Sequence, residues 1–208
     1  MYFKSGKHRE AGLRYSAFKA LVAPRPIGWI STISEDGIAN LAPYSFFNGI
    51  SELPPMVMFV SAPDVRPDLP TAHQHQAKDS LANIRQSGEF GVNIVGVKQI
   101  DEMMISSQNM PADRDEFEAA GLVKKQARDI KAPLVAGAPA HLECSLYHMI
   151  ELPGSPNRAG CVMVLGHVIS MHIDDAVITD GLVDVTKFQP VMRLGYKDYS
   201  HITDIYQK

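Results

Sequence analysis

Along most of the chain, apolar and polar residues alternate as they do in strands rather than in helices. Segment 26–34 is rich in residues that favour strands, and the Asp36-Gly37 pair after it is a typical hairpin turn. Segment 38–44 is therefore predicted to be the returning strand, whereas segment 45–51 has a mixed character. These patterns predict a hairpin in the first quarter of the chain.

Further short strands and helices are predicted along the rest of the chain. Residues 56–61 follow two prolines and are continuously apolar, which predicts a strand that is buried on both faces. Asp79 and Ser80 are residues typical of a helix N-terminus, and Gly88 is typical of a helix C-terminus, so a helix is predicted between them. The other predicted elements are strands at 89–95, 140–151 and 160–173 and helices at 97–106 and 115–120.

The succession of these elements indicates the fold class. Many antiparallel strands joined by tight turns, with two or three inserted helices, predict a mainly β protein built on a closed or nearly closed barrel. The regular strand–helix alternation of a parallel sheet is absent, and so are the glycine-rich motifs of Rossmann and P-loop sites. No linker-like segment or shift of composition divides the chain, so residues 1–208 are interpreted as a single domain.

Composition and charge argue against several classes of function. With 45% hydrophobic residues the chain can bury one core, and its formal net charge of −3 gives no basic surface for nucleic acid. No apolar run is long enough to span a bilayer, and the polar segment 1–14 is not a signal peptide. We therefore expect no membrane association and a cytoplasmic location. Cys144 and Cys161 lie in apolar stretches and are interpreted as two buried strand thiols.

Segment 40–48, with the sequence NLAPYSFFN, places small polar residues, aromatic residues and a proline where a regular strand is expected. Pro43 cannot donate to a central ladder, so this backbone is predicted to lie at an edge or a bulge. A bulged strand leaves amide and carbonyl groups free to face a planar ligand. The alternative is a plain transition from strand to loop, with Phe46 and Phe47 in the core.

Lys78, Asp79 and Ser80 stand where a helix is predicted to begin. Free N–H groups and the positive end of the helix dipole make such a position an anion site. A lysine before the cap and a hydroxyl at the cap would complete a phosphate clamp. An ordinary helix cap has the same residues, and spacing alone leaves both interpretations open.

Side chains that could catalyse a reaction without a cofactor form no recognisable motif. His73 and His75 on the predicted loop 64–77 could ligate a metal, but no cysteine or carboxylate stands near at metal-site spacing, so no metal site is expected. The sequence contains neither a nucleophile motif nor an isolated pair of carboxylates in an apolar stretch, so no residue is named as catalytic. If the protein is an enzyme, a cofactor is expected to carry its reaction.

Several motifs, taken in their order along the chain, resemble one family. They are RPIGWIST at 25–32, NLAPYSFFN at 40–48, two prolines before the apolar run 56–61, KDS at 78–80, GEFGVN at 88–93, HLEC at 141–144, LGHV at 165–168 and PVMRLG at 190–195. The resemblance covers roughly residues 15–200. By these motifs the chain is identified as a member of the flavin reductase-like FMN-binding split-barrel proteins.

The resemblance implies a six-stranded antiparallel split barrel with a few inserted helices, a homodimer, and a flavin near the dimer interface. The flavin is FMN, or FAD in its place. The residues implied by motif position to approach the flavin are Trp29, Ser31, Thr32, Tyr44, Ser45, Phe46, Phe47 and Asn48. Lys78 and Ser80 are implied to hold the phosphate, and Ser61 to contact the phosphate or the ribityl chain. Ser80 replaces a threonine that is usual in the family but keeps the hydroxyl.

The family also implies a reaction. An NAD(P)H-dependent flavin reductase would pass electrons to free flavin, oxygen or a partner monooxygenase. The alternative is an FMN electron carrier of the flavoredoxin type, or a flavin sensor, reduced by a redox partner protein. The Gly-Asp-His motif linked with nicotinamide binding in short flavin reductases is missing, and Gly166-His167 matches it only in part. Loop 64–77, which contains Arg66, could cover the adenine or the phosphate, or reach a partner.

Overall fold

The structure of the protein is a computed structural model, and it describes residues 1–63, 78–155 and 159–206. The predicted loop 64–77, with its arginine and histidines, lies outside the described residues. Within the described residues the strands are β1 (Arg25–Pro26), β2 (Gly28–Ile33), β3 (Ala39–Tyr44), β4 (Phe47–Glu52), β5 (Pro55–Ser61), β6 (Glu89–Ile94), β7 (Lys124–Lys125), β8 (Leu134–Val135), β9 (Ala140–Glu151), β10 (Val162–Ile173), β11 (Ile178–Thr179), β12 (Leu182–Val183), β13 (Val191–Arg193) and β14 (Tyr199–His201). The helices are α1 (Phe18–Leu21), α2 (Asp79–Ser87), α3 (Ile100–Ser106), α4 (Glu116–Ala119) and α5 (Val185–Phe188), with 3₁₀ turns at Val97–Gln99 and Asp175–Val177.

Seven of the strands form one antiparallel sheet in the order β3-β2-β6-β9-β10-β5-β4. Its edge strands, β3 and β4, follow each other in the chain, and β3 contacts β5 across the opening. The sheet therefore curls into a half-open barrel. The predicted mainly β, antiparallel split-barrel fold is confirmed, and the sheet has one strand more than the six expected.

The additional strand comes from segment 45–51, for which the residue pattern predicts no regular element. Residues Phe47–Glu52 form β4, which pairs with β5 at the edge of the sheet. Every residue of β4 after Phe47 is exposed in the single chain. Hydrophobic periodicity cannot reveal such a strand because neither face is consistently buried, whereas its hydrogen bonds to β5 keep it extended.

Two apolar clusters cover the opposite faces of β2. Ile30 points into the barrel, where Phe59 and Phe90 pack edge to face with 5.6 Å between their ring centroids. Leu81 of α2 belongs to this interior cluster, so α2 closes the barrel on that side. Trp29 points to the outer face, which residues of α3 and α4 cover. β2 therefore holds α2, α3 and α4 in place around β3.

The predicted helices are confirmed, with adjusted ends. α2 begins at Asp79, and Gly88 after it adopts a φ of 71°, a left-handed conformation that glycine adopts without strain. The predicted helix 97–106 starts as a 3₁₀ turn before α3, and the predicted helix 115–120 is the single turn α4. No helix in the described part of the chain is long and apolar enough to cross a membrane.

Two predictions of burial are corrected. β5 is not buried on both faces, because Val57, Phe59 and Ser61 are buried while the residues between them are only partly covered. β5 lies next to the edge strand β4. Cys144 is a fully buried thiol in β9, as predicted, but Cys161 precedes β10 and is half-buried.

Candidate functional site

A groove runs along β3 at the edge of the barrel. Its floor is formed by residues of β3 between Asn40 and Tyr44. One wall is the beginning of α2, from Lys78 to Ser80, and the other is segment 106–110 at the end of α3. The start of a helix, which attracts anions, therefore faces the strand that carries the NLAPYSFFN motif.

Three hydroxyl groups meet at the α2 end of the groove. The Tyr44 hydroxyl is buried and has no hydrogen-bond partner among the described residues. Burial raises the pKa of Tyr44, while the nearby hydroxyls of Ser80 and Ser61 lower it in part. A buried phenol without a partner costs free energy. A ligand atom that accepts its hydrogen bond would therefore bind favourably at this end of the groove.

The first turn of α2 adds positive potential at the same place. Lys78 is the N-cap residue of α2, and its side chain makes no capping hydrogen bond. The positive end of the α2 dipole lies at this turn. The carboxylates of Asp79 and Glu116 are close to each other, and the charge of Asp79 contributes to the raised pKa of Glu116. These two negative charges reduce the affinity of the groove for an anion. The site suits an anion that approaches from the Lys78 side.

Asn40 connects the α2 wall of the groove to α4. Its side-chain oxygen accepts a hydrogen bond from the Ser80 hydroxyl at 2.7 Å, and its side-chain nitrogen donates to Glu116 Oε2 at 3.1 Å. Thr32 Oγ1 donates to the same Asn40 oxygen at 3.4 Å and accepts a hydrogen bond from Asn83 Nδ2 at 3.0 Å. All of these side chains are buried, so the network fixes the Ser80 hydroxyl relative to β3.

Glu116 is a member of this network that no sequence motif marks. The residue is 5% exposed, and its Oε2 also accepts a hydrogen bond from the backbone N–H of Leu41 at 3.0 Å. Burial raises the pKa of Glu116, and the hydrogen bond from Leu41 opposes that rise. Its acidic neighbours in sequence are typical of a solvated helix face. The residue that could have indicated the burial of Glu116 is its neighbour Phe117, which packs in the core and places this turn against β3.

Replacing Glu116 by alanine is expected to destabilise the protein. The change removes the acceptor for the backbone N–H of Leu41 and for the amide of Asn40, which should lower the free energy of unfolding by about 1 to 2 kcal/mol. Glu116→Gln keeps an acceptor oxygen and should lose less. Urea unfolding of both variants tests this expectation. Equal losses in the two variants would show that the acceptor is not what matters.

A second cavity continues the groove beyond the end of β3. Pro43 and Ser107 line both spaces, so they are contiguous. Ser45, Arg193 and Lys197 also line the second cavity. We call the groove and the second cavity together the trough. The trough begins at the start of α2 and ends at two cationic side chains.

The sequence of the chain is similar to those of known proteins over nearly its whole length. The pattern of the flavin reductase like domain matches residues 21–191. The chain belongs to this family. An uncharacterized protein of Aquifex aeolicus (strain VF5) is 32% identical over 194 residues, which cover 93% of this chain and 92% of that protein.

Two solved structures have the same fold as this flavin reductase-like chain. Nitrilotriacetate monooxygenase component B from Bacillus cereus is 23% identical with a TM-score of 0.88, and the match covers 100% of this chain and 98% of that one. The 2-nitrobenzoate 2-nitroreductase NbaA of Pseudomonas fluorescens is 27% identical with a TM-score of 0.80, and the match covers 100% and 95% of the two chains. Membership of the flavin reductase-like family makes this a flavin-related redox protein.

The residues that the family resemblance assigns to the flavin fall into two groups in the structure. Those that lie in the trough, in its hydrogen-bond network or beside the Tyr44 hydroxyl are Thr32, Tyr44, Ser45, Ser61, Lys78 and Ser80. Those whose side chains lie elsewhere are Trp29, Ser31, Phe46, Phe47 and Asn48. The first group comes from four separate segments of the chain.

Trp29 and Ser31 face the other side of β2. Trp29 is fully buried and its Nε1 donates to Ser106 Oγ at 2.8 Å, so it supports one wall of the groove from behind. Ser31 Oγ accepts a hydrogen bond from Asn93 Nδ2 at 3.2 Å. Because successive side chains of a strand point to opposite faces, Thr32 reaches the groove network while its neighbour cannot.

The aromatic part of the NLAPYSFFN motif leaves the groove because the chain turns between β3 and β4. Phe46 is half-buried, with the Arg25 guanidinium 5.6 Å from its ring centroid. Phe47 is buried in the barrel beside Gly28, where a Cβ atom would come within 2.5 Å of the Phe47 ring. Asn48 is exposed on β4. The alternative that places this part of the motif in the core is confirmed for Phe47.

Other titratable side chains form a buried cluster away from the trough. Glu143 Oε1 pairs with His172 Nε2 at 2.6 Å, and the ring of His141 lies 6.2 Å from that of His172. The backbone N–H groups of Arg128 and Asp129 donate to the same carboxylate. Within the described ranges, no three histidine, cysteine or carboxylate side chains are grouped as a metal site requires. The cluster is structural, since it ties segment 128–129 to β9 and β10.

Proposed function

We propose that the protein binds FMN in the trough and acts as an NAD(P)H-dependent flavin reductase. The observation that carries this proposal is the buried Tyr44 hydroxyl, which lacks a partner among the described residues and lies beside Ser61 and Ser80. These groups and Lys78 form a set of donors that fits a phosphate monoester at the start of a helix. FAD would place the same phosphate chemistry at this end.

The residues of the chain have separate roles in this proposal. Lys78, Ser80 and Tyr44 bind the phosphate, and the Asn40–Glu116 contact holds Ser80 in position. The backbone of β3 and Ser45 line the trough and would exclude water from one face of a flavin bound there. The bound flavin supplies the hydride and electron chemistry. Binding and orientation are then the contribution of the protein, without an obligatory proton donor.

The proposed electron acceptor is free flavin or a partner monooxygenase. Two features of the chain support it: membership of the flavin reductase-like family and the likeness of fold to a monooxygenase component B. We also propose a homodimer, because the outer face of β10 leaves Ile169, Met171 and Ile173 between 41% and 54% exposed. Apolar side chains that cluster on an exposed face are typical of an interface.

The second candidate function is an FMN electron carrier or sensor that a redox protein reduces. The missing Gly-Asp-His motif favours it, since Gly166-His167 keeps only part of the segment linked with nicotinamide binding. The two functions share the FMN site in the trough. They differ in whether a nicotinamide nucleotide reduces the bound flavin directly.

The absorption spectrum of the purified protein, loaded with FMN and kept anaerobic, separates the two functions. Addition of NADPH or NADH is expected to bleach the flavin bands within seconds to minutes if the protein is a reductase. Bands that persist with both nucleotides, but bleach with dithionite, would favour the electron carrier. A protein that takes up no FMN would contradict both proposals.

A further inference from the structure

The second cavity has a charge pattern that the binding of FMN does not explain. Arg193 and Lys197 line it together with Ser45, Ser107 and Tyr199. Among the described residues no carboxylate lines this cavity, in contrast to the groove, where two carboxylates do. A concave space lined by two cations and by no described carboxylate is suited to an anion.

The position of Arg193 also indicates a missing negative charge. In the β1–β13 pair, Arg193 stands directly opposite Arg25. Burial lowers the pKa of Arg25, and the charge of Arg193 lowers it further. Neither arginine forms an ion pair with a carboxylate among the described residues. Like charges that face each other across two strands are unfavourable, so an anion bound at Arg193 would relieve the repulsion.

The Arg193 guanidinium is held in place before any ligand arrives. It donates to the Tyr199 hydroxyl and, at 2.7 Å, to the Tyr196 carbonyl oxygen, and it lies over the Tyr199 ring at 4.3 Å from the centroid. A cation fixed in this way loses little side-chain entropy when it binds a phosphate. Lys197, exposed on the turn beside it, supplies a second positive charge.

A pair of tyrosines adjoins the second cavity on its outer side. Lys197 also lines a shallow space with Arg14, Tyr15 and the acidic Asp198, and the rings of Tyr15 and Tyr196 lie 5.7 Å apart. Both tyrosines are at least 50% exposed, and Tyr196 has a φ of 57°, which is unusual for a residue other than glycine. Exposed aromatic rings beside cations are a surface on which a nucleotide base stacks.

We propose that the second cavity binds the diphosphate of a pyridine dinucleotide, the electron donor, and that its adenine stacks on Tyr15 and Tyr196. Arg193 and Lys197 bind the diphosphate oxygens. The groove shares Pro43 and Ser107 with this cavity, so the nicotinamide end of the same molecule extends toward the flavin ring beside β3. The identity of the dinucleotide rests on the proposed reductase function, whereas the anion site rests on the cavity alone.

Titration of the FMN-loaded protein with ADP, followed by calorimetry, tests the site without requiring reduction of the flavin. ADP carries both the diphosphate and the adenine. Lys197→Glu is expected to weaken ADP binding by about tenfold, because it replaces an attractive charge by a repulsive one. The matched control is Lys131→Glu, which reverses the charge of an exposed lysine. Lys131 lines neither the groove nor the second cavity, so this variant should bind ADP as the wild type does. Tyr15→Leu should weaken ADP binding but leave inorganic pyrophosphate binding unchanged.

Stopped-flow reduction by NADPH and NADH then links the site to the electron donor. Lys197→Glu should raise the apparent dissociation constant of the nucleotide by about tenfold and leave the limiting rate of flavin bleaching within about twofold. Equal ADP binding by Lys197→Glu and the wild type, or no ADP binding by either, would overturn the inference. Loss of FMN rather than ADP in this variant would also overturn it, since the cavity would then hold the flavin. ADP binding that depends on Lys197, in a protein whose flavin no nucleotide reduces, would support the anion site and contradict the reductase function.

Discussion

Replacing Lys78 by alanine is expected to raise the dissociation constant of FMN by roughly 10- to 150-fold. The proposed phosphate site loses its ammonium group, and a charge-assisted hydrogen bond to a phosphate contributes about 1.5 to 3 kcal/mol. The backbone N–H groups of α2 and the hydroxyls of Ser80 and Tyr44 remain in the variant. Some affinity for FMN should therefore survive. Quenching of FMN fluorescence on titration with protein measures the constant.

The control for this experiment is Lys131→Ala, which removes an exposed lysine that does not line the groove. It should bind FMN as the wild type does. Riboflavin, which lacks the phosphate, should bind the Lys78→Ala variant and the wild type with similar affinity. An unchanged FMN constant in Lys78→Ala, with an unaltered melting curve, would contradict the assignment of the phosphate to the start of α2.

Replacing Glu143 by alanine is expected to cause the largest loss of stability, about 3 to 5 kcal/mol in the free energy of unfolding. Glu143 is fully buried, and its carboxylate accepts hydrogen bonds from the backbone N–H groups of Arg128 and Asp129 and pairs with His172. Alanine leaves these groups without their partner. Glu151→Ala, at the exposed end of the same strand, should change the free energy of unfolding little. Guanidinium unfolding of the two variants gives the comparison.

The effect of Glu143 should depend on pH in a definite direction. Burial raises the pKa of Glu143, but the N–H groups of Arg128 and Asp129 and the contact with His172 outweigh it, and the pKa is lowered overall. A carboxyl whose pKa is lowered by folding stabilises the native state above its unfolded pKa of about 4.3 and loses this effect as the pH falls through the folded value. The difference in stability between wild type and Glu143→Ala should therefore shrink below about pH 4. A difference that grows on acidification would contradict this account.

Some elements could be predicted from the sequence because local chemistry decides them. The β2–β3 hairpin follows from its strand formers and from the Asp36-Gly37 turn, and α2 follows from the capping residues at its start and from Gly88 at its end. β4 could not be predicted in this way, because none of its residues after Phe47 is buried and its pairing with β5 alone keeps it extended. The residue pattern of a segment predicts its secondary structure where that segment contains its own turn, its own helix cap or a consistently buried face.

The candidate site was predictable in part for the same reason. The KDS and NLAPYSFFN segments each carry a visible pattern, and the structure brings Lys78 and Tyr44 into one groove. The position of Ser61 beside them depends on how β5 ends, and that of Glu116 depends on how α4 packs on β3. Neither position has a signature in the neighbouring residues, because both result from contacts between distant segments.

The sequence by itself determined the family, the mainly β class and two of the three segments that form the groove, because motif order, residue periodicity and capping are properties of neighbouring residues. Only the tertiary structure decided which side chains of β2 face the groove, that Glu116 holds Asn40, and that Arg193 stands opposite Arg25. These contacts join residues far apart in the chain. They arise from strand register and from the packing of helices on the barrel, which depend on the whole fold.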